Sequence, residues 1–253
     1  GAVDGWDALL KRAGTMWFKE VLEPAIRLAE EGYPLSERIR NDFIYGKTVI
    51  KDDPEAIRTY MVDGEVPPIH HIMRTPDLAK AFRLLQSGGR DAFYKGPIAD
   101  AIVAKVQALG GHLTKADLDA THFTWETLIS TNYKGYDVFE LPPNTQGLAA
   151  LQMLNIVEVC GKQLGVDPAK LGPRSADYWH LMVEAKKLAY ADLHRYSGDP
   201  AFSEIPTQRL ISKDYAASLC RQIDMKKARP AAPTQTPIGG TVYLTTADRE
   251  GNM

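Results

Sequence analysis

The 253-residue chain sets 30 Lys and Arg against 32 Asp and Glu, a formal net charge of −2 with neutral histidines, and 44% of its residues are hydrophobic. That length buries a substantial core in one large domain or two small ones, and the near-balanced charge leaves no electrostatic footprint for nucleic acid or an anionic membrane surface. No apolar run approaches the roughly 20 residues of a membrane span, and no charged start followed by an apolar core marks a signal peptide. Gly1-Ala2-Val3-Asp4 is not a methionine start, so the missing leader says nothing about compartment. Cys160 and Cys220 stand far apart in apolar helical stretches and read as buried free thiols rather than a disulfide.

In chain order, Asp7 to Leu10 opens a helical stretch, and Trp17 to Glu31 places Leu22, Ile26 and Ala29 on one apolar face that Gly32 stops. Pro24 kinks that helix or opens a new one. A further helix is predicted after Pro34-Leu35-Ser36, carrying Ile39, Phe43 and Ile44. Residues 52–68, rich in Asp, Gly and Pro, read as a short helix and a loop. Thr75-Pro76-Asp77 is a helix start for Leu78, Phe82 and Leu85, ended by Gly88-Gly89. Pro97 to Leu109 repeats that grammar, and Thr114 to Asp117 caps one more turn.

At Thr121 the pattern changes. Residues 124–129 and 136–141 are runs of strand formers joined through Asn132-Tyr133-Lys134-Gly135, which predicts a β-hairpin. Residues 147–159 are apolar nearly all round, as in a buried helix. A long helix follows from Ser175 to Tyr196, broken by Gly198-Asp199-Pro200, and another runs from Ser212 to Ile223. Lys226 to Gly240, rich in Pro, Ala and Thr, reads as an exposed linker into a strand from Val242 to Asp248. The fold class is α+β and mostly helical, with too few partners here for that last strand to complete a sheet.

The chemistry is sought at Gly239-Gly240-Thr241. A threonine hydroxyl is a weak nucleophile until a base stands beside it, and a threonine that begins a chain brings its own α-amine as that base. Such an amine titrates at about 7.7 to 8.0. Thr241 becomes a terminus if its hydroxyl attacks the Gly240 carbonyl and water hydrolyses the resulting ester. The two glycines let the peptide distort toward that attack.

Other candidates have plainer readings. His70-His71 are adjacent, so their rings do not share a helical face for a metal, and they read as loop surface. His180, Glu184 and Asp192 lie at ligand-like offsets, but Lys187 on the same face points to a solvated or ion-paired stripe. Ser87-Gly88-Gly89 lacks the spacing and the Lys-Ser/Thr of a phosphate loop. No solenoid-period repeat is visible. No metal and no organic cofactor is implied.

Several stretches in order resemble one family. They are Gly1 to Trp6, Pro24 to Gly32, Asp91 to Gly96, Gly110 to Thr114, Leu141-Pro142-Pro143, Gly198 to Phe202, and Thr241 with Asp248 and Gly251-Asn252. Over essentially its whole length the chain resembles the γ-glutamyltransferase (γ-glutamyltranspeptidase) family of N-terminal-nucleophile hydrolases. The resemblance implies the mostly helical portion of an αββα-layered fold, autocleavage between Gly240 and Thr241, and Thr241 as nucleophile. It implies that residues 1–240 are the C-terminal portion of a large subunit and 241–253 the opening strand of a small one. The expected substrates are γ-glutamyl amides such as glutathione, with water or an amino acid as acceptor, and the expected partner is the remaining small subunit. The expected compartment is periplasmic or extracellular.

The family start Thr-Thr-His is replaced by Thr241-Val242-Tyr243, which touches acyl and acceptor preference more than mechanism. The alternatives are an acylase acting on glutaryl or other side-chain amides, and a noncatalytic helical interaction module. In the resemblance, the arginine that grips the substrate carboxylate lies upstream of Gly1, and the γ-glutamyl-binding residues and oxyanion donors lie downstream of Met253. Residues 1–253 alone are therefore expected to be inactive.

Overall fold

Side chains that cap helices punctuate the first 124 residues. The computed structural model describes residues 1–230 and 244–252, which divide into two units at Thr124 and Trp125. The first unit begins with α1 (Ala2–Ala13), α2 (Phe18–Val21) and α3 (Glu23–Glu31). Pro24 lies in the first turn of α3, where its missing N–H costs nothing, so the long predicted helix is two helices. Gly32 ends α3 at φ +95°, and a Cβ there would meet the Met73 carbonyl oxygen at 2.8 Å, so glycine is required on both counts.

The chain then forms β1 (Tyr33–Pro34), α4 (Glu37–Ile50), α5 (Pro54–Tyr60) and β2 (Ile72–Met73), with β1 and β2 antiparallel and Tyr33 opposite Met73. The Ser36 hydroxyl accepts from the Ile39 amide at 3.3 Å, and the Asp53 carboxylate accepts from the Glu55 and Ala56 amides. Each supplies an acceptor to helix donors that lack intrahelical partners.

Next come α6 (Pro76–Tyr94), α7 (Pro97–Ala108) and α8 (Lys115–Asp119). The glycines predicted to end α6 instead break it internally: Gly89 sits at φ 58°, ψ −151°, and helical winding resumes to Tyr94. Thr114 and Asp117 form the reciprocal capping pair of α8. Val3, Phe18, Leu22, Ile26, Ala29, Ala79, Leu85 and Tyr94 make the core of this unit. Asp4, buried beside them, accepts from the Arg90 guanidinium and the Phe123 amide, and Tyr94 lies under Arg90.

The second unit opens with the hairpin β3 (Ile129–Tyr133) and β4 (Tyr136–Glu140), paired from Ile129 opposite Glu140 to Tyr133 opposite Tyr136. Lys134 and Gly135 form its two-residue turn, both at positive φ (51° and 90°), the backbone that matches strand twist in tight hairpins. The first strand therefore lies later than the predicted 124–129, because this turn sets the register and not the richest run of strand formers.

Five helices follow: α9 (Gly147–Leu164), α10 (Pro168–Leu171), α11 (Ala176–Tyr196), α12 (Thr207–Leu210) and α13 (Lys213–Leu219), the last continued by a 3-10 turn, Cys220–Gln222. Helix α9 is buried as expected. Ile156, Val157 and Cys160 on α9 pack with Leu181, Ala185, Leu188, Ala189 and Leu193 of α11, and with Ala216 and Leu219 of α13. A second cluster, Ile129, Leu148, Leu151, Leu210 and Ile211, lies under the hairpin. It is pinned by the fully buried Asn155, which accepts from the Thr131 hydroxyl at 2.7 Å and donates to the Ile211 carbonyl at 2.6 Å.

Cys160 and Cys220 form a disulfide, with Cα atoms 5.1 Å apart at a sequence separation of 60. This corrects the reading as free thiols. Close packing of α13 on α9 brings the two cysteines together, and their separation along the chain hides that approach.

Candidate active site

Gly240 and Thr241, the sequence-predicted cleavage and nucleophile positions, lie outside the described residues, as do 231–239 of the linker and the first residues of the predicted strand. The described remainder of that strand, residues 244–248, takes no strand structure. A strand is held by partners for its backbone N–H and C=O groups, and residues 244–248 are paired with neither two-stranded sheet. What the structure does define is the chain on either side of the candidate bond.

Downstream, Asp248 to Asn252 forms a tight turn. The Asp248 carboxylate accepts from the Glu250 amide at 3.0 Å, the Asn252 amide at 2.9 Å and the Asn252 side-chain nitrogen at 2.7 Å. Gly251 adopts φ +85°, a left-handed conformation that glycine takes without penalty. The Asn252 side chain first, then the Asn252 amide and those of Glu250 and Gly251, hold the Asp248 carboxyl below the ordinary carboxylate range. The Asp-x-x-Gly-Asn spacing is thus a self-contained device: an acidic acceptor, three donors and one glycine.

Upstream, α11 holds residues 224–229. The His180 ring nitrogen Nε2 lies 2.9 Å from the Asp224 carbonyl, to which it donates. Glu184, with 1% of its surface exposed, accepts through Oε1 from the Lys187 ammonium at 2.6 Å and from the Arg229 amide at 3.2 Å. The Lys187 ammonium also donates to the Arg229 carbonyl at 2.6 Å. The predicted stripe on α11 is therefore ion-paired, with Glu184 buried and Lys187 and His180 half-buried against the chain.

Asp192, the third member, is turned elsewhere. It accepts from the Gln152 side chain at 2.6 Å and from the Tyr215 hydroxyl at 2.9 Å. Burial, then the adjacent Asp192 carboxylate, pushes the Tyr215 hydroxyl up to about 12. His70 and His71 sit in the turn before β2, as read from sequence. No group of three His, Cys, Asp or Glu among the described residues is placed to hold a metal ion.

Sequence reasoning missed the disulfide, the hold of Glu184 and Lys187 on the Arg229 backbone and the Asp4–Arg90 pair. Only Asp4 carried a signal, since it stands in the resembling stretch Gly1 to Trp6. The structure gives that stretch a physical role, because Asp4 meets Arg90 and Phe123 and so ties α1 to α6 and to the end of the unit.

A sequence model described as Gamma-glutamyltranspeptidase matches residues 1–253. The glutathione hydrolase proenzyme of Escherichia coli (strain K12) is 35% identical over 262 residues, covering all of this chain and 44% of that protein. The acylase ACY 1 proenzyme of Pseudomonas sp. (strain SE83) is 34% identical over 258 residues, covering all of this chain and 45% of its own length. The chain thus spans a little under half the length of these relatives. Among solved structures, Helicobacter pylori gamma-glutamyltranspeptidase superposes with a TM-score of 0.83 at 28% identity, over 95% of this chain and 69% of that one. The α+β fold is accordingly the mostly helical portion of an N-terminal-nucleophile hydrolase. Matched from its first residue to its last, the chain belongs to the γ-glutamyltranspeptidase family.

Proposed function

We propose that residues 1–253 are the segment of a self-cleaving γ-glutamyl hydrolase or transferase that spans its cleavage point. Residues 1–240 would end the large chain, and Thr241 would begin the small one. The observation that carries this reading is the full-length match to proenzymes together with the order Gly239-Gly240-Thr241, then Asp248-x-x-Gly251-Asn252. The formed Asp248–Asn252 turn supports it.

In maturation the Thr241 hydroxyl adds to the Gly240 carbonyl carbon and the C–N bond breaks. The acyl group passes to oxygen, and the freed nitrogen, which keeps its own hydrogen, takes up the hydroxyl proton to become the new α-amine. Water then hydrolyses the ester, leaving a carboxylate on Gly240. In turnover, that amine takes the hydroxyl proton as Thr241 attacks a γ-glutamyl amide, and the proton leaves with the expelled amine. Water or an amino-acid acceptor then releases the γ-glutamyl group from the threonine ester.

A second reading, acylase action on glutaryl-type side chains, is favoured by the acylase relative and by Thr241-Val242-Tyr243 in place of the usual Thr-Thr-His. Both readings share the nucleophile and differ in the pocket. The disulfide supports an oxidising compartment, periplasmic or extracellular.

The test is hydrolysis of a γ-glutamyl anilide and a glutaryl anilide by the intact mature protein, with mass spectrometry after a γ-glutamyl electrophile. The expected result is preference for the γ-glutamyl substrate and a covalent adduct on Thr241. Glutaryl preference with the same adduct selects the acylase. An adduct elsewhere, or none with no turnover of either substrate, overturns both.

A further inference from the structure

We infer that Glu184 and Lys187 of α11, with His180 one turn earlier, position the chain for cleavage at Gly240–Thr241. This rests on the cleavage reading above. The observation is specific to one residue: both backbone polar groups of Arg229 are held by side chains of α11, its N–H by Glu184 at 3.2 Å and its C=O by Lys187 at 2.6 Å. Glu184 and Lys187 are themselves joined at 2.6 Å, so the two contacts form one closed unit that fixes the orientation of the peptide groups flanking Arg229.

Five residues earlier, the Asp224 carbonyl is held by His180. The turn between them is closed by the Lys226 amide on the Asp224 carboxylate at 2.9 Å, and by the Lys227 amide on the Asp224 carbonyl at 3.2 Å. The helix thus grips the main chain at both ends of 224–229, immediately before the residues that lead to Thr241.

Stability alone is a poor account of this arrangement. Glu184 is buried and Lys187 half-buried, and a carboxylate taken out of water gives back in desolvation much of what its ion pair gains, so well-packed apolar residues often do as well. Here Glu184 Oε2 is buried with no hydrogen-bond partner among the described residues, which adds to the cost. What apolar residues cannot do is hold one peptide N–H and one C=O in a set direction.

The reach of the chain gives a scale for the effect. Between Arg229 and Thr241 lie the 11 residues 230–240, whereas without the α11 contacts the count from Ile223 is the 17 residues 224–240. For a Pro-, Ala- and Thr-rich linker, the chance of seating its far end falls roughly as the −3/2 power of length, which is about twofold here. Loss of the set exit direction adds to that.

The experiment follows cleavage in the intact precursor, beside a version supplied as two co-expressed chains with Thr241 already first in the second. Lys187→Met and Glu184→Gln are expected to slow precursor cleavage by about twofold or more, with Lys187→Arg restoring part of the rate. In the pre-split form both variants should hydrolyse a γ-glutamyl anilide at the parent rate, because nothing remains to be positioned. Should Glu184→Gln fail to fold, the outer-lying Lys187→Met decides.

Unchanged precursor cleavage in Lys187→Met, or an equal loss in the pre-split form, overturns the inference. Thr241→Ala separates the two levels. If it stays whole while the Lys187 variant cleaves normally, only the positioning role fails. If it still splits, the cleavage reading fails and the inference goes with it.

Discussion

Asp4 shows how one buried carboxylate shapes the first unit. Burial opposes its ionisation, but the Arg90 side chain, the Phe123 amide and the charge of Arg90 together hold its carboxyl below the ordinary value. A lowered folded value means that stability from this group is present above about pH 4, the unfolded value, and is lost as pH falls through the folded one. Asp4→Asn removes the buried charge facing Arg90, which keeps Asp91 at 3.2 Å and the Thr121 carbonyl, a loss on the order of 1–3 kcal/mol at neutral pH. Urea unfolding of the intact protein should show that gap at pH 7 and a smaller one at pH 3. An unchanged gap would mean that the charge of Asp4 is not what matters. Tyr215 runs the other way. Its hydroxyl, raised to about 12, stays neutral in the folded chain, so its contribution is complete below about pH 10 and disappears as pH rises toward 12. Alkaline absorbance titration of the parent against Tyr215→Phe should show the difference of one tyrosine ionising near pH 12.

At the scale of elements, the Cys160–Cys220 disulfide joins α9 to the turn after α13. In the chain-entropy view, closing a 60-residue loop contributes about 4 kcal/mol. Cys160→Ala with Cys220→Ala should therefore lower the Tm of the intact protein by several degrees, and a reductant should do the same to the parent and nothing to the variant. Equal midpoints with and without reductant in the parent would show that the bridge adds no stability. The same elements show what sequence discloses. Thr114 was legible as a cap because it bonds to an amide three residues away, within the local sequence; Ser36 and Asp53 cap as locally but were read only as parts of a helix start and a helix-and-loop stretch. Thr75 and Ser175 mark helix starts correctly but make no side-chain cap bond. The hairpin was legible as a hairpin yet misplaced in its first strand, since strand preference is weaker than the positive-φ turn at Lys134-Gly135. The disulfide and the Glu184–Lys187 hold on Arg229 were not legible, because each needs the packing of distant segments against α9 or α11.

At the scale of the whole molecule, the chain covers 44% of its Escherichia coli relative, so more than half of that relative's length lies outside the match. Before Thr241 the chain is held by α11 as far as Arg229, whereas after it the Asp248 turn is closed only on itself and residues 244–248 pair with neither sheet. A buried strand left with unpaired backbone groups costs about 1 to 3 kcal/mol for each, and losing one oxyanion donor slows acyl transfer about 100- to 1000-fold. Residues 1–253 alone are therefore expected neither to cleave at Gly240–Thr241 nor to hydrolyse a γ-glutamyl anilide, and supplying the downstream polypeptide should restore both. Efficient turnover by the segment alone would place the active site elsewhere. The most direct measurement is N-terminal sequencing and mass analysis of the purified intact precursor beside Thr241→Ala. The account predicts two chains from the parent, the second beginning at Thr241, and a single unbroken chain from the variant. A second chain beginning at another residue, or an Ala variant that still divides, would contradict it.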